Sequence, residues 1–318
     1  MKYFIFYFLL LPLFTVAQFA PPVGQAGTTA MYKDSSAFIN WATFCNITRG
    51  LKDISNAAGG YASVGDSSKA IGIADNSVVS LGDAGIAICT FQYPLTDGPG
   101  PDFAIFENSF SDDYLEFGFV EVSSDGVNFF RFPATCNIQD TAQTGSFGLS
   151  DATLVNNLAG KYRALYGTPF DLQELQGVGG LNINNITHVK IIDVVGSINP
   201  AYATYDKNGN KVNDPWPTAF TSSGFDLDAV GVIHDITNSI KENAAMEFSL
   251  YPNPTKDFIN VIIAASNYEL RILDLAGNEI QKENNVTRVD VSLLKAGIYF
   301  VQVRSGEKTT TQKIIITQ

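Results

Sequence analysis

The chain has 318 residues, 45% of them hydrophobic, and carries 32 acidic against 20 basic side chains, a formal net charge of −12. That balance argues against nucleic acid and against anionic membrane surfaces as partners, since both repel an acidic protein. The length suits one large domain with a sizeable core and one small one. From Ser249 onward there are 8 basic and 7 acidic residues, which leaves 12 and 25 before it, so a charge of about −13 lies in the body.

At the start, Met1-Lys2 precede an apolar run from Tyr3 to Phe14, then Thr15-Val16-Ala17 and Gln18. A basic start, about a dozen apolar residues and small residues before a cleavage point describe a signal peptide over 1–17, cut after Ala17. The run is too short to span a bilayer. No cysteine follows it for a lipid anchor, and no other segment approaches membrane length.

Residues 18–234 form the body. Helical periodicity is confined to Phe38–Phe44 and Ala152–Leu165, the second capped by Ser150-Asp151. Strands are predicted at Val78–Leu81, Gly85–Phe91, Phe103–Phe106, Phe117–Ser123, Phe129–Phe132, His188–Val195 and Ala229–Ile233. Loops rich in Gly, Asp, Asn and Pro separate them. Many short strands with long loops predict an all-β body, a large jelly-roll-like β-sandwich. Cys45, Cys89 and Cys136 form an odd set without metal-ligand spacing. In an exported chain one disulfide and one thiol fit them, and sequence does not assign the pairing.

Two features point to ligands. Asp206-Lys207-Asn208-Gly209-Asn210-Lys211-Val212-Asn213-Asp214 offers side-chain oxygens at alternate positions on a tight loop, as a hard cation such as Ca²⁺ requires. Pro217 stands where the twelfth-position Glu of a helix-flanked calcium loop belongs, and a hairpin turn on Asn208-Gly209 explains the same residues. A second oxygen set combines Asp226 or Asp228 with Asp102 and Glu107; loop capping by Asp is its alternative. Trp216, stiffened between Pro215 and Pro217, offers an aromatic plane for a sugar face, with Tyr202 and Tyr205 nearby; a plug for the end of the core is the alternative.

Catalytic motifs are missing. His188 and His234 are the only histidines, each beside an apolar β run. No His-Glu-x-x-His, Gly-x-Ser-x-Gly or phosphate loop occurs. Only a hidden carboxylate pair of the glycosidase kind would fit an enzyme. No catalytic residue is nominated.

Resemblances refine the body. Phe119 to Phe129, with its Asp125-Gly126 turn, resembles a hairpin of galactose-binding-like sandwiches. Gly224 to Val232 resembles the closing strand of carbohydrate-binding jelly rolls, where an Asp often holds structural calcium. The span from Val78 to His234, with Asp97-Gly98-Pro99-Gly100-Pro101-Asp102 and Ile192-Asp193-Val194-Val195-Gly196, resembles a family of bacterial cell-surface proteins. That family implies a fold and a surface location rather than an activity.

Residues 235–248 lack a pattern and are expected to be a linker. In the last segment, 249–318, short β runs at Val261–Ile263, Leu270–Leu273, Val289–Val291, Ile298–Val303 and Thr311–Ile316 predict a small Ig-like sandwich. Four ordered motifs run through it: Leu250-Tyr251-Pro252-Asn253-Pro254, Leu270 to Ile280, Leu294-Lys295-Ala296-Gly297 and Lys313-Ile314-Ile315-Ile316. Their succession resembles the type A C-terminal sorting domain of the type IX secretion system of Bacteroidota. It implies a secreted or cell-surface protein whose partner, through 249–318, is the type IX machinery. The expected function is non-catalytic binding or adhesion with a glycan ligand. The alternatives are surface capture of a nutrient such as a corrinoid beside an outer-membrane transporter, a glycoside hydrolase, and a structural surface role.

Overall fold

The computed structural model describes residues 19–237, 248–263, 265, 267–306 and 308–317. The proposed signal peptide lies outside these residues, as does most of the proposed linker. The chain divides into two compact units, with the first ending at Ile236.

The first unit is a sandwich of two six-stranded sheets. In chain order its strands are β1 (Met31–Tyr32), β2 (Asn40–Trp41), β3 (Phe44–Thr48), β4 (Val79–Ser80), β5 (Ile86–Leu95), β6 (Phe103–Glu107) and β7 (Gly118–Ser123). They continue with β8 (Phe130–Arg131), β9 (Thr135–Cys136), β10 (Val155–Asn156), β11 (Leu158–Ala159), β12 (Tyr166–Phe170), β13 (Ile186–Asp193) and β14 (Asp226–Val232). One sheet runs β1-β12-β6-β14-β2 with β4 also on β14; the other runs β11-β7-β13-β5-β3 with β8 on β7. Every pairing in these two sheets is antiparallel. From β2 to β7 and again from β11 to β14 successive strands change sheets, which gives the jelly-roll-like winding.

Alternation along each strand builds the core. Phe103 and Ile105 of β6, Val120 and Val122 of β7, Val189 and Ile191 of β13, and Leu227, Val230 and Val232 of β14 meet between the sheets. The other face of β6 is also covered, because Ala104 and Phe106 pack under Phe38 and Trp41. The Phe38 and Trp41 rings lie 5.6 and 5.4 Å from that of Phe106.

That layer explains one correction. Phe38–Phe44 is not helical: Asn40–Trp41 pairs with β14, and Phe44 begins β3. Its apolar spacing serves the cover over Phe106. Ala152–Leu165 is not a helix either. Asp151 caps as expected, accepting from the Thr153 amide at 2.8 Å, but onto a single 3₁₀ turn, Ala152–Leu154. Asn157 and Gly160 then take positive φ, 54° and 81°, which an α-helix excludes, and β10 and β11 follow.

Asp235 belongs with the sandwich, since it is buried and pairs with Leu95. Cys45 and Cys89 are opposite one another across β3 and β5, both buried, with sulfurs 2.8 Å apart, and Cys136 is buried elsewhere. In an oxidising compartment this geometry favours loss of two electrons and two protons to the local thiol oxidant, closing a disulfide. Peptide mapping of the exported protein without reductant is expected to recover a Cys45–Cys89 pair and a Cys136 thiol. Recovery of three thiols would refute it.

The second unit is Ig-like. A sheet β15 (Phe248–Tyr251), β16 (Phe258–Ile263), β19 (Arg288–Asp290) faces a sheet β18 (Glu279–Asn284), β17 (Glu269–Leu273), β20 (Gly297–Ser305), β21 (Lys308–Ile316). Between them lie Leu250, Ile259, Val261, Leu270, Ile272, Val301, Val303, Ile314 and Ile316. The side chain of Asn253 fastens the last strand by accepting from the Ile315 amide and donating to the Lys313 carbonyl, both at 2.9 Å. Deleting 313–318 removes two core isoleucines at about 2–5 kcal/mol each. A unit this small is expected not to survive that loss. A blot for the protein outside the cell should then be negative, and export of the truncated chain would contradict this.

Candidate functional site

The carboxylates of the body separate into two groups by what satisfies them. Most tie loops. Asp206 accepts from the amides of Asn208, Asn210 and Cys136 at 2.8, 2.8 and 3.0 Å. Burial pushes its carboxyl up, but the Cys136, Asn210 and Asn208 amides outweigh burial and hold it below the ordinary range. Asp214 accepts from the Phe117 amide at 2.6 Å. Asp228 accepts from the amides of Asp75 and Asn76. Asp193 accepts from Ala84 and Phe225.

The nominated calcium residues fall in separate places, and within the second set only Asp226 is brought beside another of the proposed oxygen residues, Glu107. Asp206, with exposed Asn208 and Asn210, forms an Asn-Gly turn that joins Tyr205 to Lys211. Asp214 faces the start of β7, while Asp226 and Asp228 lie along β14. Among the described residues the one trio with ligand oxygens mutually within 4.8 Å is Asp97, Asp102 and Asp171. Asp102 already has three partners there: Gly98 and Leu172 amides donate to it, and His234 Nδ1 sits at 2.8 Å. His188 is structural in the same way, with Nδ1 2.8 Å from Thr187 Oγ1.

Trp216 is half-buried and donates its indole N–H to Asp83 at 3.1 Å. The ring of Tyr202 lies 6.2 Å from it, and Tyr205 is exposed on the Asn-Gly turn. These three rings are not among the residues lining the cavity described next.

The second group of carboxylates lines a cavity of about 340 Å³, and it sits at the far end of β6 from Asp102. Glu107, the last residue of β6, pairs in register with Leu227, so Asp226 starts β14 beside it. Glu116, just ahead of β7, joins them. The Cβ-less Gly160 lets β11 approach, since a Cβ there would meet the Glu116 carbonyl at 1.8 Å. Glu107 is 1% exposed; its Oε2 accepts from the Ser109 amide at 2.7 Å, but its Oε1 has no partner, nor has Oδ1 of Asp226. Burial, and then Asp226, pushes Glu107 well above the ordinary carboxylate range. Burial, and then Glu107, does the same to Glu116. Asp226 is pushed up by burial to about 7.

Above this acidic floor stand aromatic rings from three loops. Phe110 stacks on Tyr114 at 4.6 Å, Tyr114 lies 6.5 Å from Phe147, and Phe147 lies 5.7 Å from Phe220. Phe110 and Phe147 are 74% and 70% exposed, an unusual cost for large apolar side chains with no partner. The loops are braced: the Tyr114 hydroxyl donates to the Ser146 carbonyl, and the Ser146 hydroxyl to that of Pro217. Of this set only Glu107 and Asp226 carry a signal in sequence. Phe110, Tyr114 and Phe147 lie in loops whose meeting depends on the finished sandwich.

Residues 249–317 match the family model described as "Secretion system C-terminal sorting domain". The second unit is thus a sorting domain, supporting export by the type IX secretion machinery to the cell surface or beyond. No helix among the described residues is long and apolar enough to cross a membrane. No curated protein matches the chain. Among solved structures, the β-glucuronidase of Ruminococcus gnavus is similar at 11% identity and a TM-score of 0.21, over 90% of this chain and 46% of that one. Its complex with D-glucaro-d-lactam gives 11%, 0.21, 90% and 48%. This chain spans about half the length of the solved structures it matches, and a superposition that loose defines no common fold.

Proposed function

We propose that the protein is an exported, non-catalytic binding protein that takes a glycan into the cavity between Glu107, Asp226 and the aromatic rim. The observation that carries this reading is the pairing of unpartnered buried acceptors with exposed rings. Sugar hydroxyls donate to carboxylates, and the weakly apolar faces of a pyranose stack on aromatic planes. The volume suits one to two sugar rings. The sorting domain supplies the route to the surface, with residues 1–17 removed on the way.

Replacing Phe147 and Phe220 together by alanine is expected to weaken glycan binding about tenfold or more, at about 0.5–1.5 kcal/mol per lost ring contact. Calorimetry on the folded variant reads this, and unchanged affinity would sink the assignment. One observation favours a second reading. Glycoside hydrolysis uses a pair of carboxyl groups of which one holds its proton, and burial raises the carboxyls that meet on this floor. Release of reducing ends from the bound glycan would replace the non-catalytic reading with that one.

A further inference from the structure

We infer that the ligand presents a protonated amine to the cavity floor, so that the glycan class is an amino sugar with a free ammonium group. The inference rests on the glycan reading above. Glu107, Glu116 and Asp226 bring three carboxyl groups to one floor, and no lysine or arginine is among the residues lining it. The Arg49 guanidinium is felt by Asp226 but is committed to the carbonyls of Val64, Ser80 and Gly65. A neutral sugar supplies donors for the bare oxygens Glu107 Oε1 and Asp226 Oδ1 but leaves these buried carboxyl groups holding their protons. An ammonium group supplies three N–H donors together with a positive charge that draws the buried carboxyl groups into their ionised form.

Two observations favour an organic cation over a metal ion. Ligands of one calcium ion at about 2.3–2.6 Å lie within about 5 Å of each other. The group of oxygens that meets such a limit among the described residues is Asp97, Asp102 and Asp171, not these three. The cavity of about 340 Å³ also far exceeds a single ion. The rim agrees with the charge: the faces of Phe110, Tyr114, Phe147 and Phe220 carry negative quadrupole density that attracts a cation on its way in.

The test titrates the full-length exported protein, at neutral pH and fixed ionic strength, with a short glucosamine oligomer and with the same oligomer fully N-acetylated. Acetylation removes the charge and keeps the sugar rings. The free amine is expected to bind about 10–100-fold tighter, the range of one or two charge-assisted hydrogen bonds. Glu107→Gln, and independently Asp226→Asn, each confirmed folded by a thermal melt, are expected to reduce that preference to about threefold or less. Equal or tighter binding of the acetylated oligomer overturns the amine inference and leaves the glycan reading standing. Binding of neither oligomer overturns both. A lysine oligomer of equal charge that binds as tightly, and still does so after Glu107→Gln, shows attraction to the acidic surface and also overturns the inference.

Discussion

Replacing Asp102 by alanine is expected to lower the stability of the body by about 3–5 kcal/mol, the loss typical of breaking a buried charged hub. The carboxyl is fully buried and ties three separate segments together. It accepts from Gly98 in the loop before β6 at 2.8 Å and from Leu172 at the end of β12 at 2.7 Å, and it meets His234 after β14 at 2.8 Å. Its own backbone joins in: its amide donates to Phe170, and its carbonyl accepts from Ile233 and His234. Truncation strands the fully buried Leu172 amide and the partly buried Gly98 amide, at about 1–3 kcal/mol each, and leaves His234 unpaired. In a unit of this size that corresponds to a fall in melting temperature of roughly 10 °C. Because Asp102 and Glu107 stand at opposite ends of β6, about 15 Å apart by strand rise, an intact ligand affinity in the folded variant is expected as well. A loss below about 1 kcal/mol in a denaturant titration would show that water or a shifted His234 takes over the donors.

Asp102 also shows where sequence reading works and where it stops. His188–Val195 was legible from alternation set by the two faces it divides, and Phe103–Phe106 from a short continuous apolar run, buried on both faces. Two-residue strands such as β9 and β11 carry no period at all, and only tertiary pairing makes them strands. The Asp206 loop has the oxygen spacing of a cation site, yet its Asp206 and Asp214 carboxylates face backbone amides while Asn208 and Asn210 are exposed. Spacing reports which groups are near one another in the chain, not which way they point. Asp226 and Glu107 were legible as acidic residues at strand ends, but that each keeps one buried oxygen without a hydrogen bond was not. That property belongs to the three-dimensional neighbourhood, where Ser109 satisfies one oxygen of Glu107 and nothing reaches the other.

The same neighbourhood makes the body an acid-stabilised fold, and its stability is expected to fall between about pH 5 and about pH 8 by several kcal/mol. The sign follows from which state holds the proton. Unfolded, an aspartate titrates near its ordinary 3.8, while folded Asp226 titrates near 7, and Asp83 and Asp228 near 6, all raised chiefly by burial. Glu107, Glu116, Asp193 and Asp214 are also raised, first by burial, then Glu107 by Asp226, Glu116 by Glu107 and Asp193 by Asp83, and Asp214 against the Phe117 amide. Between the two values the folded state binds more protons than the unfolded one, so stability is complete below about 4 to 5 and drains as pH rises through the folded values. For Asp226 about three pH units separate the states, at about 1.4 kcal/mol each, or on the order of 4 kcal/mol. At the acid end the exposed turns act the other way. Hydrogen bonds from Ser68 hold Asp66, and hydrogen bonds from Asn128 hold Asp125, below the ordinary range, so that part is lost as they protonate and the optimum is a dome. Asp226→Asn removes one ionisation without changing shape, so it is expected to raise stability most at about pH 8, less at about pH 5 and almost not at all below about pH 4, flattening the slope between. Denaturant titrations at three pH values decide it: a wild-type stability that stays level or climbs from about pH 5 to about pH 8 would mean that the buried carboxyls ionise at their ordinary values, held by compensation that their surroundings do not display.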